Sequence, residues 1–290
     1  MPVLTNDNIP GLPEWLFDIL ARLTSIDKAN DLYDSASDFR GPDFASAVLH
    51  NIGVDYQIGN YKRLSNLPEG PFITISNHPY GSIDGIMLVD LFGHLRSDFK
   101  VMVNKFLSII EKLNDNWITV IPTGNKKDGV KAESIQGVRA VLRNIQDGHP
   151  VGFFPSGAVS DFRFGEGIRD REWQIEVIRL IKKCHVPIVP VHFMDRNSAY
   201  FYSLGLVSWK LRVTRLPGEL FNKKGKLTRI GIGEIITVDA QDSITDINEY
   251  GRMLRKAVYD MPEPAHFISR SSFGPMLSGM HGHSSYAQNK

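Results

Sequence analysis

The chain has 290 residues, 42% of them apolar, with 33 lysines and arginines against 32 aspartates and glutamates and a single cysteine. That length supports one large core, or one domain with a small appendage. The near-neutral charge offers no one-signed field for nucleic acid, a lone cysteine excludes a disulfide framework or a cysteine-built zinc site, and no run of about 18 apolar residues could cross a bilayer.

In chain order, no secretory leader is read at the start. Glu14 to Leu23 puts Trp15, Leu16, Ile19, Leu20 and Leu23 on one helical face, an amphipathic helix expected to pack on the core. Phe44 to Asn51 predicts a second helix, and residues 1–52 together read as a helical N-terminal extension of a domain covering 53–263. Val54 to Ile58 alternates as a strand does, and Leu67-Pro68-Glu69-Gly70-Pro71 marks a turn.

Phe72 to Ser76 then predicts a strand and Ile86 to Phe92 a helix, with Asn77-His78-Pro79-Tyr80-Gly81-Ser82-Ile83-Asp84 between them. Pro79 and Gly81 are turn residues, and Ser82 is suited to cap the helix. Such a turn would bring Asp84 back to the His78 imidazole. A carboxylate on one ring nitrogen sets the tautomer and stabilises the imidazolium, so the other nitrogen can accept a hydroxyl proton. A histidine and an aspartate at this spacing also arise by chance, and the later motifs are what single the pair out.

Phe99 to Val103 predicts a strand, Lys105 to Leu113 a short helix, and Trp117 to Ile121 a strand ended by Pro122. The loop from Thr123 to Gly129 carries Lys126 and Lys127 but lacks the GK[ST] of a phosphate-binding loop. Glu133 to Gln146 is helical in period and stops at Gly148. Val151 to Phe154 is an apolar strand running into Pro155-Ser156-Gly157-Ala158-Val159-Ser160. A helix from Arg171 to Cys184 and a strand from Val186 to His192 follow, with Cys184 read as a buried core thiol.

Asn197 to Tyr202 opens an aromatic helix, and Trp209 to Leu216 is helical with Lys210, Arg212 and Arg215 on it. Arg229 to Val238 reads as a strand pair or one bent strand, Ile247 to Tyr259 as a closing helix, and 264–290 as a mobile tail. His281 and His283, without carboxylates nearby, make no metal site. Strands alternating with helices predict an α/β fold with a mostly parallel central sheet flanked by helices, and ligands in such sheets gather at strand ends, where His78 and Ser156 fall.

Asn77-His78 at a strand end with Asp84 beyond it, Phe154-Pro155-Ser156-Gly157, and Val186-Pro187-Ile188-Val189-Pro190 together resemble the glycerolipid acyltransferases of the lysophosphatidic-acid type. Two departures stand out. His78 and Asp84 enclose five residues where the family has four, and Ser156, Ala158 and Val159 stand where it has Glu, Thr and Arg. The wider spacing, Phe-Pro-Ser-Gly-x-Val-Ser and Val-Pro-Val-His-Phe are similar to a bacterial, hemolysin-like branch that includes O-acyltransferases of lyso-ornithine and lyso-glycine lipids.

The resemblance implies His78 as general base oriented by Asp84. It implies an acyl-carrier protein or acyl-CoA as donor, no cofactor, no metal, and a membrane lyso-lipid as acceptor. It also implies a cytoplasmic protein held peripherally on the inner face of the membrane. Asn77, Ser82, Lys126, Lys127, Ser156, Gly157 and Ser160 are the expected substrate-binding residues, with the amide near Gly157 or the start of the helix after Gly81 as oxyanion donor. Phosphatidate synthesis and a non-catalytic lipid-binding role are the alternatives. A serine hydrolase would need Gly-x-Ser-x-Gly around Ser156, and Phe154 and Ala158 occupy the glycine positions.

Overall fold

The computed structural model describes residues 25–120 and 132–273. An eight-stranded sheet carries the molecule, in the order β10-β1-β9-β8-β2-β5-β3-β4. These strands are β1 (Gln57–Gly59), β2 (Ile73–Ser76), β3 (Lys100–Asn104), β4 (Trp117–Val120), β5 (Val151–Phe153), β8 (Ile188–Phe193), β9 (Arg229–Ile232) and β10 (Phe267–Ser269). Pairing is parallel except between β8 and β9 and between β1 and β10. The separate hairpin of β6 (Asp161–Arg163) and β7 (Gly167–Arg169) has no forerunner among the predicted strands.

Central strands of a parallel sheet lie under helices on both sides, and β2 is buried at all four positions accordingly. Period-two alternation sends Ile73 and Ile75 to one core and the preceding Phe72 to the other. The Phe72 side is covered by α1 (Ile26–Ser35), α2 (Gly41–Asn51) and α3 (Ser82–Leu95). The opposite side is covered by α4 (Ala132–Gln146), α5 (Ile175–Cys184) and α10 (Ile247–Tyr259). Burial in this second core pushes the Cys184 thiol up to about 12, which leaves it protonated and unreactive.

Several boundaries move. The first strand is confined to Gln57–Gly59, and Lys105 to Leu113 forms two 3-10 segments, Lys105–Ile109 and Glu111–Asn116, the first capped by Asn104 Oδ1 on the Phe106 N–H. Helix α5 starts only at Ile175, because the Gln174 N–H is bound by Pro155 C=O and holds the residues before it in the preceding loop. Between β8 and β9 lie α6 (Ala199–Val207), α7 (Trp209–Thr214) and α8 (Leu216–Phe221); the stretch expected as a strand pair or one bent strand is β9 followed by an antiparallel bridge of Ile236 to Ile188 of β8, and Thr237 then caps α9 (Val238–Asp242).

Both ends of the expected domain scheme look different in three dimensions. Phe44, Ala45, Val48 and Leu49 of α2 are core residues against α3, so this part of the N-terminal extension is integral to the fold. The tail expected from 264 instead begins with β10, paired to β1. Arg270 explains why: its guanidinium holds buried Asp90 of α3 at 2.7 and 2.9 Å, and Tyr56 and Ser46 complete the same cluster. The amphipathic helix at Glu14–Leu23, the loop with Lys126 and Lys127, and His281 and His283 lie outside the described residues.

Candidate active site

Strand β2 ends at Ser76, and the next five residues turn the chain into α3. Asn77, buried, ties this end of β2 to β8: its Nδ2 donates to Phe193 C=O and its Oδ1 accepts from Phe193 N–H, both at 2.8 Å. The side chain thus completes the sheet's hydrogen bonding where the ladder stops. Each end of this amide, expected to bind substrate, is thus bonded to the backbone of Phe193.

His78 is fixed through its own backbone. Its N–H donates to Asp170 Oδ1 at 3.1 Å, and its C=O accepts from Ser160 N–H at 2.8 Å. Ser160 Oγ also donates to Asp170 Oδ1, and Trp173 Nε1 donates to the other carboxylate oxygen at 3.2 Å. Ser160 therefore positions His78 and has no free hydroxyl for substrate. The imidazole stacks on Phe154 with centroids 4.2 Å apart and keeps 19% of its side-chain surface exposed.

The helix geometry does the rest. Gly81, at φ +89° and ψ −124°, is the N-cap of α3, a conformation that excludes side-chain-bearing residues. Ser82 is consequently the first helical residue rather than the cap, and its side chain lies outside the described ones. Asp84, one turn in, turns its carboxylate back so that Oδ2 accepts from the N–H groups of Tyr80 at 2.9 Å and Gly81 at 3.0 Å. The same oxygen lies 2.9 Å from His78 Nδ1, a close contact whose angle falls short of a hydrogen bond. Burial pushes the Asp84 carboxyl up, opposed by His78 and by the two amides. Among the described residues nothing bonds Nε2, so one nitrogen faces a buried carboxylate and the other is free to take a proton.

The Phe154–Ser160 turn supports this pair without supplying ligands. Ser156 is buried, and its Oγ donates to Ala158 C=O at 2.8 Å. Gly157, at φ +60°, donates its N–H to Phe154 C=O at 2.9 Å, and a Cβ there would stand 2.0 Å from Gln174 Nε2. The oxyanion role expected near Gly157 is therefore taken from that amide by the turn itself. Tyr80 and Gly81 are likewise committed to Asp84. Asp84 N–H donates to Gly81 C=O at 3.1 Å, and by ordinary helix geometry the amides of Ser82 and Ile83, which open α3, lack intrahelical partners.

A second layer, carried by no motif in the sequence, clamps the turn from α6, α8 and the residues flanking them. Tyr202 Oη donates to Pro79 C=O at 3.1 Å, and Asn197 Nδ2 donates to Tyr80 C=O at 3.3 Å. Lys223 Nζ sits 4.4 Å from the Tyr80 ring centroid, donates to Arg196 C=O at 3.2 Å and lies 4.0 Å from Glu219 Oε2. Glu219 in turn accepts from Ser198 N–H and Oγ. Burial lowers the Lys223 pKa to about 8, with Glu219 and Asp84 opposing the shift. The available sequence signal was Glu219 and Lys223 four residues apart, a spacing that ordinarily marks a solvated helix face.

A cavity of about 570 Å³ lies behind the turn, lined by Asn77, Pro79, Ser160, Arg169, His192 and Tyr259 among others, and His78 is not part of its wall. Burial, then Arg169, holds His192 down to about 4, although Asp170 and Asp195 pull the other way. An unfolded histidine near 6.5 binds its proton where the folded one does not, so stability is lost as pH falls through that window. Between pH 7 and pH 5 this group alone costs about 2 kcal/mol. Urea unfolding at the two pH values should therefore show a difference smaller by about that amount in His192→Gln.

The profile of the family described as Acyltransferase matches residues 7–264 of the chain. A lyso-glycine lipid O-acyltransferase of Phocaeicola vulgatus is 26% identical over 258 residues, covering 86% of this chain and 88% of that protein. A lyso-glycine lipid O-acyltransferase of Bacteroides thetaiotaomicron is 27% identical over 259 residues, covering 86% and 91%.

Proposed function

The chain belongs to this acyltransferase family and is an acyltransferase, and from that premise we propose that it moves a fatty acyl chain from an acyl thioester to the hydroxyl of an amino-acid-containing lyso-lipid. The observation that carries the proposal is the His78–Asp84 contact with Nε2 left unbonded. Nε2 takes the acceptor's hydroxyl proton as its oxygen attacks the thioester carbonyl. The tetrahedral intermediate then collapses, the C–S bond breaks, and the imidazolium returns its proton to the departing sulfur. Asp84 stabilises the imidazolium in between. A thioester is reactive enough to need no metal, and the orphan amides opening α3 are the donors we assign to the oxyanion.

The donor is an acyl-carrier protein or acyl-CoA, with Lys126 and Lys127 serving its phosphates. The acceptor lies in a bilayer and the protein peripherally on its inner face, in keeping with the lack, among the described residues, of a helix long and apolar enough to cross a membrane. An amino-acid headgroup fits better than a phosphate monoester. The family's third-block arginine is replaced by Val159, whose side chain and that of Leu216 would stand 3.3 and 2.9 Å from a Cβ on Gly81. The turn thus meets an apolar wall where a phosphate monoester, carrying nearly two charges at neutral pH, would need guanidinium forks. Two arginines near the turn are engaged elsewhere: Arg171 on Ser156 C=O, and Arg212 on Asp161 and Ser160 C=O. With one acyl donor and both acceptors at equal concentration, kcat/KM for a lyso-glycine lipid should exceed that for lysophosphatidic acid. Equal or higher values for lysophosphatidic acid would return the protein to phosphatidate synthesis, and no transfer to either would leave a lipid-binding role.

A further inference from the structure

We propose that the corner between α6 and α7, together with the tip of the β6–β7 hairpin, is the face that seats this protein on an anionic lipid bilayer. Among the described residues, the face carries the four most exposed large apolar side chains, Phe164 at 95% exposure, Val207 at 78%, Leu206 at 68% and Trp209 at 64%, with the exposed Leu211 and Val213 following in α7. Ser208, in extended conformation, breaks the helix and turns these residues outward at a corner. The hairpin and the corner are joined, since Arg212 of α7 pairs with Asp161 of β6 and donates to Ser160 C=O, and α6 packs on β6. Apolar side chains gathered this way need an occupant, whereas single exposed ones do not.

Charge identifies the occupant. The whole chain is near neutral, but residues 196–227 hold Arg196, Lys210, Arg212, Arg215, Lys223, Lys224 and Lys226 against one carboxylate, Glu219. Glu219, Lys223 and Arg212 are buried, so the charges this segment shows to solvent, on Arg196, Lys210, Lys224, Lys226 and the partly exposed Arg215, are all positive; the hairpin adds the exposed Glu166 at its tip and Asp161, paired with Arg212, at its root. Apolar residues with a tryptophan, rimmed by lysine and arginine, match the acyl boundary and the anionic headgroups above it. A second copy fits poorly, because a two-fold contact would set the same cations against one another.

The face also adjoins the reacting groups. Ser160, at the root of the hairpin, holds His78 C=O, while Tyr202 of α6 holds Pro79 C=O. A bilayer touching both roots would bring a lipid hydroxyl to His78 without the lipid leaving the membrane entirely. That purpose rests on the acyl-transfer reading, but the binding itself does not.

The test is binding to phosphatidylcholine vesicles with and without phosphatidylglycerol, in the absence of any acyl donor. Binding should be tighter with phosphatidylglycerol, and Phe164→Ser/Trp209→Ser should weaken it by about tenfold per aromatic, with an unchanged melting temperature because both side chains are exposed. Lipids brominated on their acyl chains should quench tryptophan emission in the parent protein and in Trp15→Phe, but far less in Trp209→Phe. Unaltered binding by the double variant would overturn the proposal. So would quenching that survives in Trp209→Phe and disappears in Trp15→Phe, which would move the seat to the N-terminal segment, or a vesicle-free dimer abolished by the double variant. Vesicle binding as expected, beside failure of the lyso-glycine lipid in the separate two-acceptor assay, would sink the amino-acid-lipid reading and leave this face standing.

Discussion

His78→Ala should lower acyl transfer by about 10²- to 10⁴-fold, the usual contribution of a positioned general base, while leaving the protein folded. The two effects separate because His78 is held by its backbone rather than its ring: its N–H is on Asp170 and its C=O on Ser160, and both bonds survive truncation. The ring's one apolar contact of note is the stack on Phe154, at a partly exposed position. Asp84 differs. Its Oδ2 also receives the Tyr80 and Gly81 amides, so Asp84→Ala would strand two buried donors and destabilise the turn by about 1–3 kcal/mol each. Asp84→Asn keeps an acceptor for the turn and removes the charge, making it the cleaner probe of imidazolium stabilisation. Single-turnover rates with a fixed acyl thioester, beside circular dichroism and urea unfolding, check the set. Normal turnover by folded His78→Ala would end the base mechanism.

Lys223→Ala should destabilise the protein by about 3–5 kcal/mol, because it strands a buried carboxylate. Glu219 and Lys223 are each nearly without solvent contact, and the lysine alone bridges Glu219, Arg196 C=O and the face of Tyr80. Taking two charges out of water is repaid only while both are present, so the double variant Glu219→Gln/Lys223→Met should recover much of the loss. The recovery would show in the urea midpoint. Acyl transfer should recover less, because the Tyr80 contact that steadies the His78 turn stays altered. Additive losses in the two single variants and their combination would show that the pair does not act as one buried unit.

The supports of the turn also mark how far residue patterns reach. Strand-and-turn chemistry at Phe72 to Asp84 was readable because Pro79, Gly81 and an apolar helix permit few conformations, and helix Ile247–Tyr259 was readable because its apolar period is strong. The antiparallel strand β10 was not, since Phe267-Ile268-Ser269 is too short to show a period and is stabilised by pairing with β1 and by Arg270 on Asp90. The hairpin likewise gave no signal beyond two glycines and two phenylalanines in a loop.

The sequence by itself determined the α/β class, the mostly parallel sheet, and the nearness of His78 and Asp84, because local periodicity and turn preference act over a few residues. The packing adds partners that residue patterns do not show: Asn77 and Ser160 bond to Phe193 and Asp170 from distant segments, while Ser156 and Gly157 bond within their own turn. It alone decided which charges face water. Glu219 and Lys223, at a spacing that ordinarily marks a solvated helix face, are buried in the fold, and the charges left exposed between Arg196 and Leu227 are cationic on a protein whose total charge is near zero. The physical reason is that desolvation and hydrogen-bond partnership depend on the packing of segments far apart in sequence, which local residue patterns do not encode.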